Sequence, residues 1–268
     1  ELIRFSDQTL STADLNNSPS EITLDHLTLN ENQVGAVVGP LNVIDEDDTT
    51  HTLVLLGADA DLFEIDANNQ LKLKSVISAD YESQASYSVT VTATDSASHS
   101  LSKEFVVNVS DVNEAPTDIA LSSLTVEENS AEGTVVGNLS ATDPDVEDTD
   151  SFSLVGGTGS NLFEINASNQ LAVKSGASLD YETLANPTVT IRTTDSGGLT
   201  FDKAFTVSVT DGNETPTDIA LDSLLVAENS AGAHVANITG TDPDGDTLTY
   251  SIVGGADATM FEVVGNML

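Results

Sequence analysis

Phe205-Thr206-Val207-Ser208-Val209-Thr210 alternates apolar and polar side chains at every step. A period of two puts Phe205, Val207 and Val209 on one face and the hydroxyls on the other, which predicts a half-buried β-strand. Tyr87, Val89 and Val91 alternate in the same way with Ser88 and Thr90. Beyond residue 210 the chain runs into Asp211-Gly212-Asn213-Glu214-Thr215-Pro216, a short polar linker with a twin at Asp111-Val112-Asn113-Glu114-Ala115-Pro116. More text recurs at the same spacing of 100. Val126-Glu127-Glu128-Asn129 returns as Val226-Ala227-Glu228-Asn229, and Pro116-Thr117-Asp118-Ile119-Ala120-Leu121 returns as Pro216-Thr217-Asp218-Ile219-Ala220-Leu221. An earlier copy sits at an offset of 97, where Asp14-Leu15-Asn16-Asn17-Ser18-Pro19 forms a third version of the linker. The chain is therefore a tandem array.

Residues 1–18 read as the tail of a preceding copy, 19–115 as a first copy, 116–215 as a second and 216–268 as an incomplete third. The third lacks everything matching residues 171–216, as a fragment would. Turn-forming clusters at Asp66-Ala67-Asn68-Asn69, Gly156-Gly157 and Ser196-Gly197-Gly198 separate the strands, and no segment sustains a 3.6-residue period. About seven short strands in about 100 residues predict an all-β, Ig-like Greek-key sandwich in each copy, without the cysteine pair or tryptophan of an antibody domain.

Composition excludes several functions. Seven Lys+Arg stand against 44 Asp+Glu, for a formal charge of -37. Such a chain repels phosphate backbones and anionic headgroups, so no nucleic-acid partner is expected. Disorder is the other reading of high acidity, but 39% apolar residues in regular alternation favour folded domains. No stretch approaches the ~18 apolar residues of a membrane span. Absence of cysteine removes disulfides and thiol chemistry, leaving metal as the available cross-link for small extracellular modules.

The acids themselves are patterned. In residues 117–216, sixteen carboxylates face only Lys174, Arg192 and Lys203, so most of them have no protein cation to pair with. A solubilising surface accounts for scattered acids such as Glu132 and Asp202. It does not account for recurrence at matching places: Glu31, Glu128 and Glu228; Asp45/Asp47, Asp143/Asp145 and Asp242/Asp244; Asp80/Glu82 and Asp180/Glu182; Asp95 and Asp195; Asp111/Glu114 and Asp211/Glu214. Hard oxygen donors in such numbers suit Ca²⁺, which takes six to eight oxygens, better than zinc. Asp242-Pro243-Asp244-Gly245-Asp246 opens like an EF-hand loop but has neither the glycine nor the glutamate that loop needs further on.

The ordered set Glu-Asn, Asp-x-Asp, Asp-Tyr-Glu, Thr-Asp-Ser and Asp-x-Asn-Glu-x-Pro resembles the cadherin repeat in its bacterial, cadherin-like form, over residues 14–268. The resemblance implies Ca²⁺ between consecutive repeats. At the first junction Glu31, Asp80, Glu82, Asp111, Asn113 and Glu114 would meet Asp143, Asp145 and Asp195. At the second, Glu128, Asp180, Glu182, Asp211, Asn213 and Glu214 would meet Asp242 and Asp244. The linker departs from the usual Asp-x-Asn-Asp-Asn-Ala-Pro by being one residue shorter, with Glu114 where an aspartate is expected, which leaves the number of ions per junction open. Copy two also has Val146 after Asp145 where the family favours glycine, whereas copy three keeps Gly245.

Tyr81 and Tyr181 are expected as core aromatics with a hydroxyl reaching the surface rather than as ligands, and His26, His51, His99 and His234, which lack counterparts in the other copies, as surface residues. Carboxylate pairs could serve an enzyme, but they recur once per copy as structural parts do, and no histidine or cysteine stands beside a repeated serine, so no catalysis is expected. The resemblance implies a calcium-rigidified extracellular or cell-surface array acting in adhesion, with itself or another surface protein as partner, or as an adhesin stalk. The alternative is a carbohydrate-binding module with a surface glycan as partner. That alternative is weakened by four tyrosines and no tryptophan. The adhesive strand exchange of the family needs an N-terminal tryptophan, which the chain lacks.

Overall fold

The alternating runs are strands in the computed structural model, which describes residues 3–4, 9–10 and 16–268. Most of the tail read at residues 1–18 lies outside them, apart from the short pair β1 (Ile3–Arg4) and β2 (Thr9–Leu10). Two compact units divide the chain, Glu1–Glu114 and Ala115–Leu268.

In the first unit the strands are β3 (Glu21–Leu24), β4 (Thr28–Asn30), β5 (Val37–Ile44), β6 (Thr52–Leu56), β7 (Phe63–Ile65), β8 (Gln70–Leu73), β9 (Ser86–Thr94) and β10 (Ser100–Ser110). They form two four-stranded sheets, β3-β5-β8-β7 and β4-β10-β9-β6. The opening strand of the copy is split between them: β3 pairs antiparallel with β5, whereas β4 pairs parallel with β10. That division makes eight strands of the expected seven. Inward positions of both sheets meet in one core, with Ile22, Leu71, Leu73, Val89, Val91 and Val107 fully buried. Each such side chain contributes about 1.5–3 kcal/mol relative to exposure.

The second unit repeats this plan. Its strands are β11 (Asp118–Leu121), β12 (Thr125–Glu127), β13 (Val135–Thr142), β14 (Ser151–Gly156), β15 (Phe163–Ile165), β16 (Gln170–Val173), β17 (Thr188–Thr194), β18 (Thr200–Thr206) and β19 (Ser208–Thr210). Here the last long strand is interrupted at Val207, so β18 pairs with β17 and β19 pairs parallel with β12. Ile119, Phe163, Leu171, Val173, Ile191 and Val207 fill the core. Lys103 and Lys203 play one repeated part, each donating to a carbonyl of the opening strand, Ile22 at 2.8 Å and Ile119 at 2.7 Å. Each ammonium also lies 5.5 Å from the ring of the phenylalanine two residues on. Two of the few cations are thus structural.

Among the described residues the period-of-two reading misses the helical turns, short 3₁₀ turns at Ala60–Leu62 and Ala258–Met260 and the single α-helical turn α1 (Tyr181–Leu184). Four residues are too few to show a 3.6 period. Asp180 caps the turn by accepting from the Thr183 amide at 2.7 Å, and Asp80 accepts in the same way from Ser83 at 2.9 Å.

The third copy contributes β20 (Asp218–Leu221) and β21 (Ile238–Thr241). Met267 bridges Asn237 as Gln170 of β16 pairs with Asn138, but nothing in the sequence corresponds to the rest of β16 or to β17–β19, so positions those strands cover in copy two are bare here. Ile219 is 65% exposed against 0% for Ile119, and Phe261 is 39% exposed against 1% for Phe163.

One repeated turn differs in tightness. Gly57 and Gly157 both have φ near +107°, at +108° and +106°. A Cβ on Gly157 would lie 2.2 Å from the Thr188 carbonyl oxygen, whereas on Gly57 its nearest neighbour is the Ser88 oxygen at 3.3 Å. Gly157→Ala is expected to cost well over ~1 kcal/mol and more than Gly57→Ala. Urea unfolding of the two variants checks this, and equal losses would contradict it.

Candidate metal centre

Glu128 follows β12, and its carboxylate is 4% exposed. Burial of an acid requires donors. Oε1 accepts from the Gly212 amide at 2.7 Å and Oε2 from the Tyr181 amide at 2.8 Å. Glu31 repeats the arrangement with the amides of Val112 at 2.8 Å and Tyr81 at 2.7 Å. The tyrosines therefore matter through the main chain. Tyr81 and Tyr181 are each 37% exposed, more than a core ring with its hydroxyl at the surface, which corrects that expectation.

Around Glu128 the second unit gathers Glu182 from α1, Glu214 from the linker and Asp244 from copy three, with a carboxylate oxygen of each within 4.8 Å of the others. The Glu214 amide donates to Asp244 Oδ2 at 2.7 Å, tying the linker to the third copy. Asp244 also lies within such a group with Asp242 and Asp246. Asp242 Oδ1 accepts from the Asp244 amide at 3.1 Å. Asp180 serves the helix cap and stands outside the four. Asn213 turns its amide to the Glu214 carbonyl at 2.9 Å, and Asn113 does the same to Glu114 at 3.1 Å. In the first unit Glu31, Asp80 and Glu82 come together in the same manner.

The electrostatics of this group are those of crowded, like charges. Desolvation pushes the Glu214 carboxyl up to about 7, with the hydrogen bond to Asp244 and the charges of Glu128, Asp244 and Glu182 adding to it. Asp211 is raised by desolvation and then by Asp244 and Glu128. Glu182 is pulled down by its own backbone amide, but desolvation and the charges of Glu128, Asp211 and Asp244 outweigh that and raise it. Glu214 Oε2 and Asp244 Oδ1 are out of contact with solvent and have no hydrogen-bond partner. Buried oxygens of this kind need a compensating group. An all-oxygen donor set with two uncompensated oxygens fits a hard divalent cation, and its chemistry is that of Ca²⁺ rather than zinc.

The start of copy two holds the other predicted acids. Asp143 Oδ1 accepts from the Asp145 amide at 3.1 Å. Burial raises the Asp143 carboxyl; the Asp145 amide opposes this, while Asp150, Asp145 and Asp195 reinforce it. Asp143 Oδ2 and Asp148 Oδ2 are buried without a partner. Asp195, 6% exposed, accepts from the Leu199 amide at 2.7 Å and so closes the β17–β18 turn.

Sequence reasoning missed three features. Asn32 and Asn129 adopt left-handed backbone, φ +59° and +54°, and their side chains reach Glu114 and Glu214, each at 2.5 Å. The recurring Glu-Asn pair carried that signal, although only its acid reads as a ligand. Asp148 and Asp246 lie outside the Asp-x-Asp pairs read as ligands, although Asp148 recurs 100 residues after Asp48 and each of these two accepts from the hydroxyl after the turn aspartate, Ser196 and Ser96, at 2.7 Å. Finally, His51 is not a surface residue: its side chain is 7% exposed and its Nε2 lies 3.0 Å from Asp45 Oδ2. His26, His99 and His234 are exposed.

The family model for the cadherin domain matches residues 25–110 and 122–210. Cadherin-related family member 2 of Homo sapiens is 35% identical over 179 residues, 62% of this chain and 14% of that protein. Protocadherin gamma-C3 of Homo sapiens is 29% identical over 279 residues, 93% of this chain and 30% of that protein. The chain thus spans less than a third of the length of either relative. Among solved structures, mouse cadherin-23 EC22-24 superposes with a TM-score of 0.67 at 23% identity, covering 94% of this chain and 86% of that one.

Proposed function

We propose, from the premise that this chain belongs to the cadherin family, that its copies are a calcium-stiffened stretch of an adhesive, extracellular surface protein. Cadherin domains in general bind calcium, and the relatives are adhesion proteins rather than enzymes. The repeats run 19–115, 116–215 and 216–268 in this reading. The carrying observation is the group Glu128, Glu182, Glu214 and Asp244, with two oxygens, Glu214 Oε2 and Asp244 Oδ1, that are closed off from solvent and have no hydrogen-bond partner. Glu128, Glu182, Asp211, Asn213, Glu214, Asp242 and Asp244 would hold the ion at the second junction, with Asp180 placing Glu182 through the helix cap. Glu31, Asp80, Glu82, Asp111, Asn113 and Glu114 would serve the first junction with Asp143, Asp145 and Asp195. Bound there, calcium would supply charge neutralisation and a tie between linker and following copy.

A homophilic or heterophilic partner on another surface follows from the family. The carbohydrate-binding reading is not favoured, because the relatives are cadherins and protocadherins. The exposed aromatics Tyr81, Tyr181 and Phe261 also fall in three different copies rather than forming a sugar platform. No helix among the described residues is long and apolar enough to cross a membrane.

Calorimetric titration of the metal-free chain with calcium tests the proposal. Saturable binding in the ~10⁻⁴–10⁻³ M range usual for extracellular modules is expected, with magnesium much weaker because the crowded carboxylates leave little room for its retained waters. A titration showing only heat of dilution would remove calcium from the function.

A further inference from the structure

We propose that the acids at the start of copy one are held by imidazoles in place of a divalent cation, so that this end of the copy is a calcium-independent pole. The inference rests on the calcium reading of copy two and departs from it at one place. Register identifies the matching positions. Thr52 opposite Thr94 corresponds to Ser151 opposite Thr194, so His51, one residue before β6, stands where copy two has Asp150 before β14. His99 corresponds likewise to Leu199, since the amide of each donates to Oδ1 of the turn aspartate, at 2.8 Å to Asp95 and 2.7 Å to Asp195. Between one copy and the next, an imidazole and a carboxylate have been exchanged beside the same acid.

The hydrogen bonds follow from that exchange. Asp45 Oδ1 accepts from the amides of Asp47 at 3.0 Å and Asp48 at 3.2 Å, and Oδ2 meets His51 Nε2 at 3.0 Å. Asp95 Oδ1 accepts from Ala97 and His99, and its Oδ2 meets His99 Nδ1 at 3.1 Å. Asp48 Oδ2 accepts from Asn16 Nδ2 and from the amide and hydroxyl of Ser96. Asp47 Oδ2 accepts from Asn17. In copy two, by contrast, Asp143 Oδ2 and Asp148 Oδ2 are buried with no partner.

A cation could reach Asp45, whose side chain is fully buried, only by displacing a ring that is itself 7% exposed. That displacement leaves a buried imidazole N–H without its acceptor, a cost a preformed calcium site does not carry. The cationic ring and the neutral ring in its Nε2–H tautomer both supply the donor that Asp45 Oδ2 accepts from, so the contact does not require a charged histidine.

The test is a calcium titration of the full chain followed by amide resonances. In the wild type, the amides of Asp47, Asp48 and Ala97 should stay fixed while those of Tyr181, Gly212 and Glu214 shift saturably. The imidazoles are then moved: Asp150→His with Leu199→His should raise the calcium midpoint at the amides of Asp145 and Asp148 by about tenfold or more, the scale of a lost supporting contact at a metal. Asp150→Asn, which removes the charge without supplying a ring donor to Asp143, should change that midpoint less. Wild-type amides at Asp47 and Asp48 moving with the Gly212 midpoint would overturn the inference. So would a double-histidine variant that keeps the wild-type midpoint at Asp145, or an asparagine variant that loses as much as the histidine one. Silence at Gly212 as well would instead count against the calcium reading of copy two.

Discussion

Removing calcium with a chelator is expected to lower the unfolding midpoint of the second unit by ~10 °C or more relative to ~10 mM calcium. A cation at about 100 times its dissociation constant stabilises a folded site by about 2.7 kcal/mol. In a domain of roughly 100 residues each kcal/mol moves the midpoint by about 4–8 °C. The direction with pH should reverse between the two conditions. Without metal, Glu214 carries a folded-state pKa of about 7 against the ordinary 4.5 of a glutamate. A carboxyl raised in this way adds stability that is full below about pH 4.5 and is lost as pH rises through about 7. Acids lowered by hydrogen bonds, such as Asp118 beside Lys203 and Asp202 beside Arg192, act in the opposite sense, but only near and below the usual aspartate range. In chelator, therefore, the midpoint should rise as pH falls from 7.5 to 5.5. With calcium present, protonation of Glu214 competes with the ion, and the midpoint should fall over the same interval. Thermal scans at the two pH values, with and without calcium, check both signs. Parallel slopes would separate the raised carboxyl from the metal and leave Glu214 outside the site.

The sandwich, the tandem copies and the recurring acids are legible in the sequence because each depends on side-chain polarity in a fixed rhythm. Val89 and Val91, or Val207 and Val209, must face inward if a two-layer sheet is to bury anything. What stays hidden depends on the main chain. Glu128 is chosen by the amides of Gly212 and Tyr181, and the phenol of Tyr181 is incidental to that choice. Asn129 is needed for a left-handed backbone position as well as for its amide, and the Glu-Asn spelling does not separate these two demands. Copy one reads Asp95-Ser96-Ala97 where copy two has Asp195-Ser196-Gly197, and this exchange of glycine for alanine is a further case. Left-handed backbone falls one residue later, at Ser98 with φ +73° and Gly198 with φ +91°, so the alanine at position 97 costs nothing. His51 is hidden for another reason. Its burial depends on Asp45 lying beside the start of β6, a tertiary fact with no periodic trace.

Substitution of Glu128 should have the other large effect, because that one side chain serves two requirements of opposite sign. It accepts from two main-chain amides, and Glu128→Ala leaves both without an acceptor, at about 1–3 kcal/mol each. It also repels Glu182, Glu214 and Asp244, and deletion relieves that repulsion when no cation is bound. The net loss in chelator is therefore expected at about 2–4 kcal/mol, below the sum of two hydrogen bonds. Calcium should widen the gap, since the variant forfeits a ligand as well. Glu128→Gln sharpens the distinction: it retains one acceptor oxygen, removes the charge and sets an N–H₂ against a main-chain donor. In chelator it should fall between wild type and Glu128→Ala, whereas its response to calcium at the Glu214 amide should be as poor as that of the alanine variant. Glu31, which makes the matching pair of bonds in copy one, is the internal control, and its surroundings should titrate unchanged in both variants. Urea unfolding in chelator together with amide-resolved calcium titration measures the two requirements separately. If Glu128→Ala lost calcium response while keeping wild-type stability in chelator, the two buried amides would not depend on this carboxylate. If it lost stability but kept the calcium midpoint at Glu214, Glu128 would be a structural acid beside the metal and not one of its ligands.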